Sequence, residues 1–176
     1  MLERFTAARL YVLAVLLVAA AVACALYLQY FVGVLPCPLC AIQRMGFISA
    51  AILALLAALA GRGIARPMLG MLALLCAIAG AGVAAWHTWL LAHPPETLGC
   101  GRPFEWFNDD FPLVTWLPKL FHGEGDCLAV DWTFFGLAVP HLAGLTYIVL
   151  IVLLSTATAA ALRERRAGRR AGSRAR

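Results

Sequence analysis

The stretch that decides the fold is residues 10–43, which reads LYVLAVLLVAAAVACALYLQYFVGVLPCPLCAIQ. It contains no Asp, Glu, Lys or Arg, and it is longer than the roughly 20 residues that one helix needs to cross about 30 Å of hydrocarbon. It must therefore hold parts of two spans. Pro36 and Pro38 mark the division, because proline disrupts a helix interior but fits a first helical turn. We predict one span over 10–30 and a second that begins at 38.

The composition of the whole chain is that of a membrane protein. Its 176 residues are 63% apolar and 13% charged, and the mean hydropathy is +0.86, whereas soluble domains are roughly 45–50% apolar and about 25% charged. This composition excludes a disordered, collagen-like or nucleic-acid-binding chain. The apolar stretches predict spans near 10–30, 38–60, 68–91 and 140–162. The predicted fold class is an all-α membrane protein, a single-domain bundle of four transmembrane helices.

Basic residues give the spans a direction, because short basic loops stay in the cytoplasm. Arginines precede the first span, separate the second from the third, and form a tail over 163–176. The 31–37 turn has no basic residue, and the 92–139 loop has two basic residues against seven acidic ones. We expect both termini and the tail inside and both of these loops outside. A cleaved signal peptide is the alternative for the first span, whose apolar stretch exceeds the usual 7–15 residues.

The six cysteines divide by position. Cys24 and Cys76 lie within spans, where we expect them to pack as small apolar side chains. The outer side, an oxidising compartment, holds Cys37, Cys40, Cys100 and Cys127. We expect two disulfides among these four, and three connectivities remain open.

The motif Cys37-Pro38-Leu39-Cys40 opens the second span. Cys37 is expected near the N-cap and Cys40 near the third helical position, where backbone N–H groups and the helix dipole favour a thiolate. Arg44 follows Cys40 by four residues and lies on the same helix face, about one turn deeper. A charge within a span usually has a function. Snorkelling of the Arg44 side chain to the outer surface is the alternative.

His87 lies in Trp86-His87-Thr88-Trp89, near the outer end of the third span, at a depth similar to that of Arg44. We therefore predict a pocket between the second and third spans that is rich in hydrogen-bond donors. Such a pocket suits a flat, carbonyl-bearing molecule that arrives from the lipid. A purely structural histidine is the alternative.

Two features stand out in the long outer loop. Glycines flank Cys100 and Cys127, and we expect them to leave both sulfurs open to attack by a large protein thiolate, the alternative being a structural bridge. Between the two cysteines, residues 104–121 are rich in aromatic side chains with partly helical spacing. This predicts a short interfacial helix on the outer leaflet, or alternatively a segment packed on the helix ends.

In their order along nearly the whole chain, these motifs resemble the DsbB (disulfide bond formation protein B) family. The resemblance rests on CPLC with Arg44 four residues later, WHTWLLA over 86–92, GCG over 99–101, WLP over 116–118, GDC over 125–127 and WTFFGL over 132–137. One departure is Pro38, where the family commonly has a β-branched residue.

The resemblance implies a thiol:quinone oxidoreductase of the bacterial inner membrane that reoxidises a DsbA-like periplasmic thioredoxin-fold oxidase. The electron acceptor would be a membrane quinone, either ubiquinone or menaquinone. It implies a periplasmic 92–139 loop and no metal site. The implied site residues are Cys37 and Cys40 as the quinone-linked pair, Cys100 and Cys127 as the partner-facing pair, and Arg44 and His87 beside the quinone.

Three other classes are alternatives. A haem- or metal-binding four-span protein would use the CxxC and an intramembrane histidine. His87, however, has no evident axial partner in the spans other than His141, at the edge of the fourth span. A structural scaffold would hold both bridges as inert crosslinks. A vitamin-K-epoxide-reductase-like oxidoreductase would be expected to carry its CxxC near the third or fourth span.

Overall fold

The computed structural model describes residues 7–61, 63–94, 112–123, 125–130 and 132–174. Its elements in chain order are α1 (Ala7–Tyr27) with a π-helical turn (Leu28–Val32), α2 (Pro38–Leu59), α3 (Ala65–Ala92), α4 (Pro112–Trp116), α5 (Pro118–Phe121), β1 (Thr133–Phe134), β2 (Leu137–Ala138) and α6 (Val139–Arg174).

Within these described ranges, four helices are long and apolar enough to cross a membrane: Ala7–Val32, Pro38–Leu59, Ala65–Ala92 and Val139–Arg170. Helix α1 packs on α2 and α6, and α3 packs on the same two helices, so the four form a closed bundle. The predicted all-α, four-helix membrane fold is confirmed.

The ends of two helices differ from the predicted spans. Helix α1 continues through the π-helical turn and stops at Gly33, whose φ of 84° is a left-handed conformation that glycine adopts readily. Helix α6 continues to Arg174 instead of ending near 162, so most of the predicted basic tail is helical. Arginine, the commonest residue of this segment, is a good helix former.

Small residues let the bundle helices approach closely around two buried tyrosines. The ring of Tyr147 stacks on Phe47 with centroids 3.8 Å apart and occupies the space that side chains at Gly46 and Gly80 would need. Near the other end of the bundle, the hydroxyls of Tyr11 and Thr158 are hydrogen-bonded over 3.0 Å. The contacts of Tyr147 with Phe47, Gly46 and Gly80 fix the rotation of α2 and α3 about their axes, and thereby the direction of the polar side chains described below.

The segment predicted as interfacial is described from Pro112 onward, as α4 and α5 on either side of the break at Pro118. Val114 and Phe121 are buried against Ala41 of α2, whereas Trp116 is 78% exposed. One face of this segment therefore packs on the bundle end and the other is open. The earlier part of the predicted segment, residues 104–111, lies outside the described residues.

A two-stranded antiparallel hairpin, not predicted from the sequence, precedes α6. Thr133 pairs with Ala138 and Phe134 with Leu137. The two connecting residues, Phe135 and Gly136, both have positive φ, as the tight turns of such hairpins require.

Candidate functional site

The CxxC motif caps α2 as predicted. Cys37 is the N-cap residue, and its sulfur accepts a hydrogen bond from the backbone N–H of Cys40 over 3.3 Å. Pro38 occupies the first turn, where no backbone N–H is required. The Sγ atoms of Cys37 and Cys40 lie 3.1 Å apart as two thiols. Cys37 is buried and Cys40 half-buried, so the pair opens to one side.

His87 of α3 lies directly against this pair. Its Nε2 atom is 3.9 Å from Sγ of Cys37 and 3.0 Å from the carbonyl oxygen of Cys127. Because a carbonyl oxygen only accepts, hydrogen bonding assigns the proton to Nε2. The Nδ1 atom, 3.2 Å from the amide nitrogen of Gln43, is then the acceptor. This arrangement describes a neutral imidazole with both nitrogens bonded.

Gln43 was not identified from the sequence, although it is almost fully buried beside the CxxC. Its backbone carbonyl accepts a hydrogen bond from the hydroxyl of Tyr147 over 2.7 Å, which connects the site to the bundle core. The sequence did contain a signal that could have identified Gln43, because residues 10–43 have no charged side chain and only two glutamines, Gln29 and Gln43. Both of them bond a predicted site residue.

Arg44 is 8% exposed, and its guanidinium is held within the protein. Its Nη1 donates to the side-chain oxygen of Gln29 over 2.7 Å and to the carbonyl oxygen of Leu120 over 3.2 Å. These bonds join α2 to the π-helical turn and to α5, so the structure disfavours the alternative in which Arg44 snorkels to the surface. The Arg44 charge also interacts electrostatically with Cys40 and Cys37.

The segment that carries Cys127 lies flat on the turn before α2. The N–H of Gly125 donates to the carbonyl oxygen of Pro36 over 3.0 Å. A Cβ at Gly125 would lie 2.5 Å from the carbonyl oxygen of Leu35, and one at Gly123 would lie 2.6 Å from the backbone nitrogen of Pro38. These glycines were expected to expose Cys127 to a partner, but they serve a close backbone approach, and Cys127 is buried.

As a result, Cys127 reaches Cys37. The two thiols are hydrogen-bonded, and this bond, a second one with Cys40 and burial together raise the pKa of Cys37 above its ordinary value. Cys100 lies outside the described residues, so the pairing of the outer cysteines stays a prediction.

A cavity of about 200 Å³ adjoins these side chains. It was predicted between the second and third spans, but its apolar wall comes mainly from α1 and the start of α6, while α3 contributes His87 and Leu91. The polar part of its wall is formed by Cys37, Cys40, Gln43, Arg44, His87, Asp126, Cys127 and Thr146. A cavity of about 150 Å³ accepts a benzene ring, so this cavity is large enough for one substituted ring.

Three further predicted residues are placed by the structure. Cys24 was expected to pack in the interior, but it is exposed and borders the cavity, because its face of α1 is turned away from the bundle core. Cys76 is half-buried and packs against the core of the bundle, as expected. His141, the candidate axial partner in the haem alternative, is absent from the cavity wall as far as the described residues show.

Comparison with known proteins decides the family. The family model described as "Disulfide bond formation protein DsbB" matches residues 7–157. The chain belongs to the DsbB family. A relative named "Disulfide bond formation protein B" from Azoarcus sp. (strain BH72) is 42% identical over 70% of this chain and 75% of its own length.

Other DsbB relatives give similar values. The protein of the same name from Albidiferax ferrireducens is 42% identical over 74% of this chain and 75% of its own length. That from Paracidovorax citrulli is 38% identical over 81% of this chain and 82% of its own length. The protein is therefore a disulfide oxidoreductase of the DsbB family and a multi-pass membrane protein.

Proposed function

We propose that this protein reoxidises a DsbA-like periplasmic thioredoxin-fold dithiol oxidase and passes the electrons to a membrane quinone, ubiquinone or menaquinone. It would do so in the bacterial inner membrane, with both termini cytoplasmic and the 31–37 and 92–139 loops periplasmic. The observation that carries the proposal is the contact between Cys127 and Cys37, which places one thiol of the outer loop on the CxxC pair.

In the first step, a thiolate of the reduced partner attacks a Cys100–Cys127 disulfide and forms a mixed disulfide with Cys100. The partner's second thiolate then closes its own disulfide, and the outer pair is left reduced. Both electrons of the partner dithiol now reside on Cys100 and Cys127. The position of Cys127 against Cys37 supports the next transfer.

In the second step, Cys127 attacks Cys37 of a Cys37–Cys40 disulfide, and Cys40 leaves as a thiolate. Two features stabilise that leaving group: the α2 N-terminus, where Cys40 lies, and the positive charge of Arg44. Cys100 then displaces Cys37 from Cys127, which restores the outer disulfide and leaves the CxxC pair reduced. The electron pair is then beside the cavity wall.

The cavity suits a quinone ring in size and in chemistry. Its wall is largely apolar, and a quinone offers two carbonyl oxygens that accept hydrogen bonds. Arg44, His87 and Gln43 supply nitrogen donors at this wall. When bound, a quinone accepts two electrons and two protons. Arg44 would donate hydrogen bonds to a carbonyl oxygen and stabilise the negative charge that develops there, and His87 would do the same once its Nε2–H leaves the carbonyl oxygen of Cys127.

The proposal is tested with purified protein in detergent, a reduced thioredoxin-fold oxidase and a short-chain ubiquinone, by following the quinone absorbance. The wild type should reduce the quinone. Cys40→Ser should not, and it should accumulate a Cys37–Cys127 linkage that non-reducing mass spectrometry detects. Cys127→Ser has no outer disulfide for the reduced partner to attack, so it should leave the partner reduced; when oxidised partner is supplied instead, the free Cys100 thiolate should attack the partner's disulfide and form a mixed disulfide.

Cys76→Ser is the matched control, because Cys76 packs in the bundle core and should leave turnover within about twofold. Quinone reduction at the wild-type rate by Cys40→Ser would refute the relay. A haem or metal absorption band in the purified wild type would favour the haem- or metal-binding alternative.

A further inference from the structure

The cluster of Cys37, Cys40 and His87 has the composition of a metal site. One ligand atom from each residue, Sγ, Sγ and a ring nitrogen, lies within 4.8 Å of the other two. Thiolate and imidazole are the ligands that zinc prefers in proteins. From this geometry we propose that the fully reduced protein binds one Zn²⁺ ion through these three side chains, and that the bound ion blocks the thiol chemistry of the pair.

The distances suit a tetrahedral ion. Bond lengths of about 2.3 Å to sulfur and about 2.0–2.1 Å to nitrogen separate two sulfur ligands by roughly 3.8 Å and a sulfur from a nitrogen by roughly 3.6 Å. The structure has 3.1 Å between the two sulfurs and 3.9 Å between Cys37 and Nε2 of His87. Each of these two distances is within about 1 Å of ligand geometry, and the ligand atoms of Cys40 and His87 lie within 4.8 Å of each other. The ligands also border the cavity, which gives an ion a route to them.

The ring nitrogen of His87 that would not bind the ion, Nδ1, also has a suitable hydrogen-bond partner. A histidine that binds zinc through one nitrogen usually donates its other N–H to an oxygen acceptor. Binding through Nε2 moves the imidazole proton to Nδ1, and a rotation of the Gln43 amide places its oxygen 3.2 Å away, where the nitrogen now lies. Binding through Nε2 breaks its hydrogen bond to the carbonyl oxygen of Cys127, and that oxygen or solvent would occupy the fourth position.

Zinc binding is a proton-releasing step and not a redox step. Zn²⁺ replaces the thiol protons of Cys37 and Cys40, so two protons are released and no electrons move. A Cys37–Cys40 disulfide has no thiolate to offer, so only the reduced protein binds the ion. Zinc would therefore hold the pair reduced and prevent electron transfer in either direction. Zinc binding at this site requires neither a quinone nor a partner protein.

The first test measures metal affinity on the full chain in detergent, reduced with a phosphine that does not compete for metal. Zn²⁺ is titrated against a chromophoric chelator, and Co²⁺ is used to record thiolate-to-metal absorption. We expect one ion per reduced chain and none per chain after oxidation. Cys40→Ser and His87→Phe should each lower the affinity more than Gln43→Leu, for which an outer-shell loss of about 10–100-fold is expected.

Two variants serve as matched controls. Cys76→Ser removes a thiol from the same helix as His87, about 16 Å away along the helix axis at 1.5 Å per residue. His93→Phe removes an exposed imidazole at the end of that helix. Both should retain the wild-type affinity. Equal binding by oxidised protein, or wild-type affinity in Cys40→Ser, would overturn the proposal.

A second measurement needs no variant and so does not depend on whether one folds. Reduced wild-type protein is alkylated with and without Zn²⁺, and each cysteine is quantified by mass spectrometry. Zn²⁺ should protect Cys37 and Cys40 and leave the labelling of Cys76 unchanged. Unchanged labelling of Cys37 and Cys40 at saturating Zn²⁺ would contradict the site directly.

Discussion

The backbone N–H of Gly125 donates a hydrogen bond to the carbonyl oxygen of Pro36 over 3.0 Å. This bond joins the segment that carries Cys127 to the turn that carries Cys37. The approach is possible because position 125 has no side chain, since a Cβ there would lie 2.5 Å from the carbonyl oxygen of Leu35. A residue without any reactive group thus sets the contact between two cysteines.

Gly125→Ala should weaken that contact. The added methyl group forces the two backbones apart at an overpacking cost of about 1–3 kcal/mol, because a carbonyl oxygen of the backbone cannot move aside as a side chain would. In a Cys40→Ser background, the yield of the Cys37–Cys127 linkage in a glutathione redox buffer should fall. Gly144→Ala is the matched control, since a Cβ at Gly144 meets nothing within 4 Å. An undiminished linkage in Gly125→Ala would show that the glycine does not control the approach.

Gln43→Leu should disturb His87 without touching a sulfur. The substitution removes the amide donor to Nδ1 of His87 and leaves a buried acceptor unpaired, at a cost of about 1–3 kcal/mol. We expect a mixture of His87 tautomers in ¹⁵N NMR spectra and weaker quinone kinetics. Ser49→Ala changes another polar residue of α2, bonded to its own helix at Gly46, and should alter neither readout. A single tautomer in Gln43→Leu would indicate that the carbonyl of Cys127 suffices to position the imidazole.

Arg44→Ala should raise the KM for quinone or lower the turnover rate by the equivalent of about 1.5–3 kcal/mol, the range for a lost hydrogen bond to a charged group. Because Arg44 also donates to the carbonyl oxygen of Leu120, hydrogen exchange over 118–121 should accelerate in the same variant. Arg66→Ala removes an arginine that pairs with Glu164 over 3.1 Å, and it should leave quinone kinetics unchanged. Unaltered kinetics in Arg44→Ala would limit this arginine to joining α2 and α5.

The sequence predicted those features that depend on local chemistry. Hydropathy located four spans, and the rule that proline fits a first helical turn placed Cys37 at the N-cap of α2. The cavity wall and the neighbours of Gln43 depend instead on how the helices are rotated against one another. That rotation follows from contacts between distant residues, such as Tyr147 with Gly46 and Gly80, which no local pattern contains.

The orientation of the bundle is a separate prediction, based on the arginines that precede α1, separate α2 from α3 and end the chain. A reporter enzyme that is active only outside the cytoplasm should be active when fused after Pro36 or near Asp109. It should be silent when fused after Arg62 or Arg166. Activity after Arg62 would reverse the assignment of the α2–α3 connection and with it the location of the CxxC.

The protonation of Cys37 gives a pH-dependent prediction. The hydrogen bond with Cys127, a second one with Cys40 and burial together raise the pKa of Cys37. In the reduced protein, Cys37 should therefore remain a thiol at neutral pH. Its alkylation should accordingly increase with pH through a midpoint above the ordinary cysteine value of about 8.5. A protonated Cys37 is a poor nucleophile, which agrees with its proposed role as the sulfur that Cys127 attacks in the oxidised pair.

Cys127→Ala removes the largest cause of that shift and should move the midpoint for Cys37 alkylation to lower pH. The midpoint is compared instead of the rate, because the substitution also opens access to a buried sulfur. Cys76→Ser should leave the midpoint unchanged. Alkylation is followed residue by residue by mass spectrometry across the pH range. A midpoint for Cys37 that is the same in Cys127→Ala and in the wild type would mean that burial and Cys40 alone keep this thiol protonated.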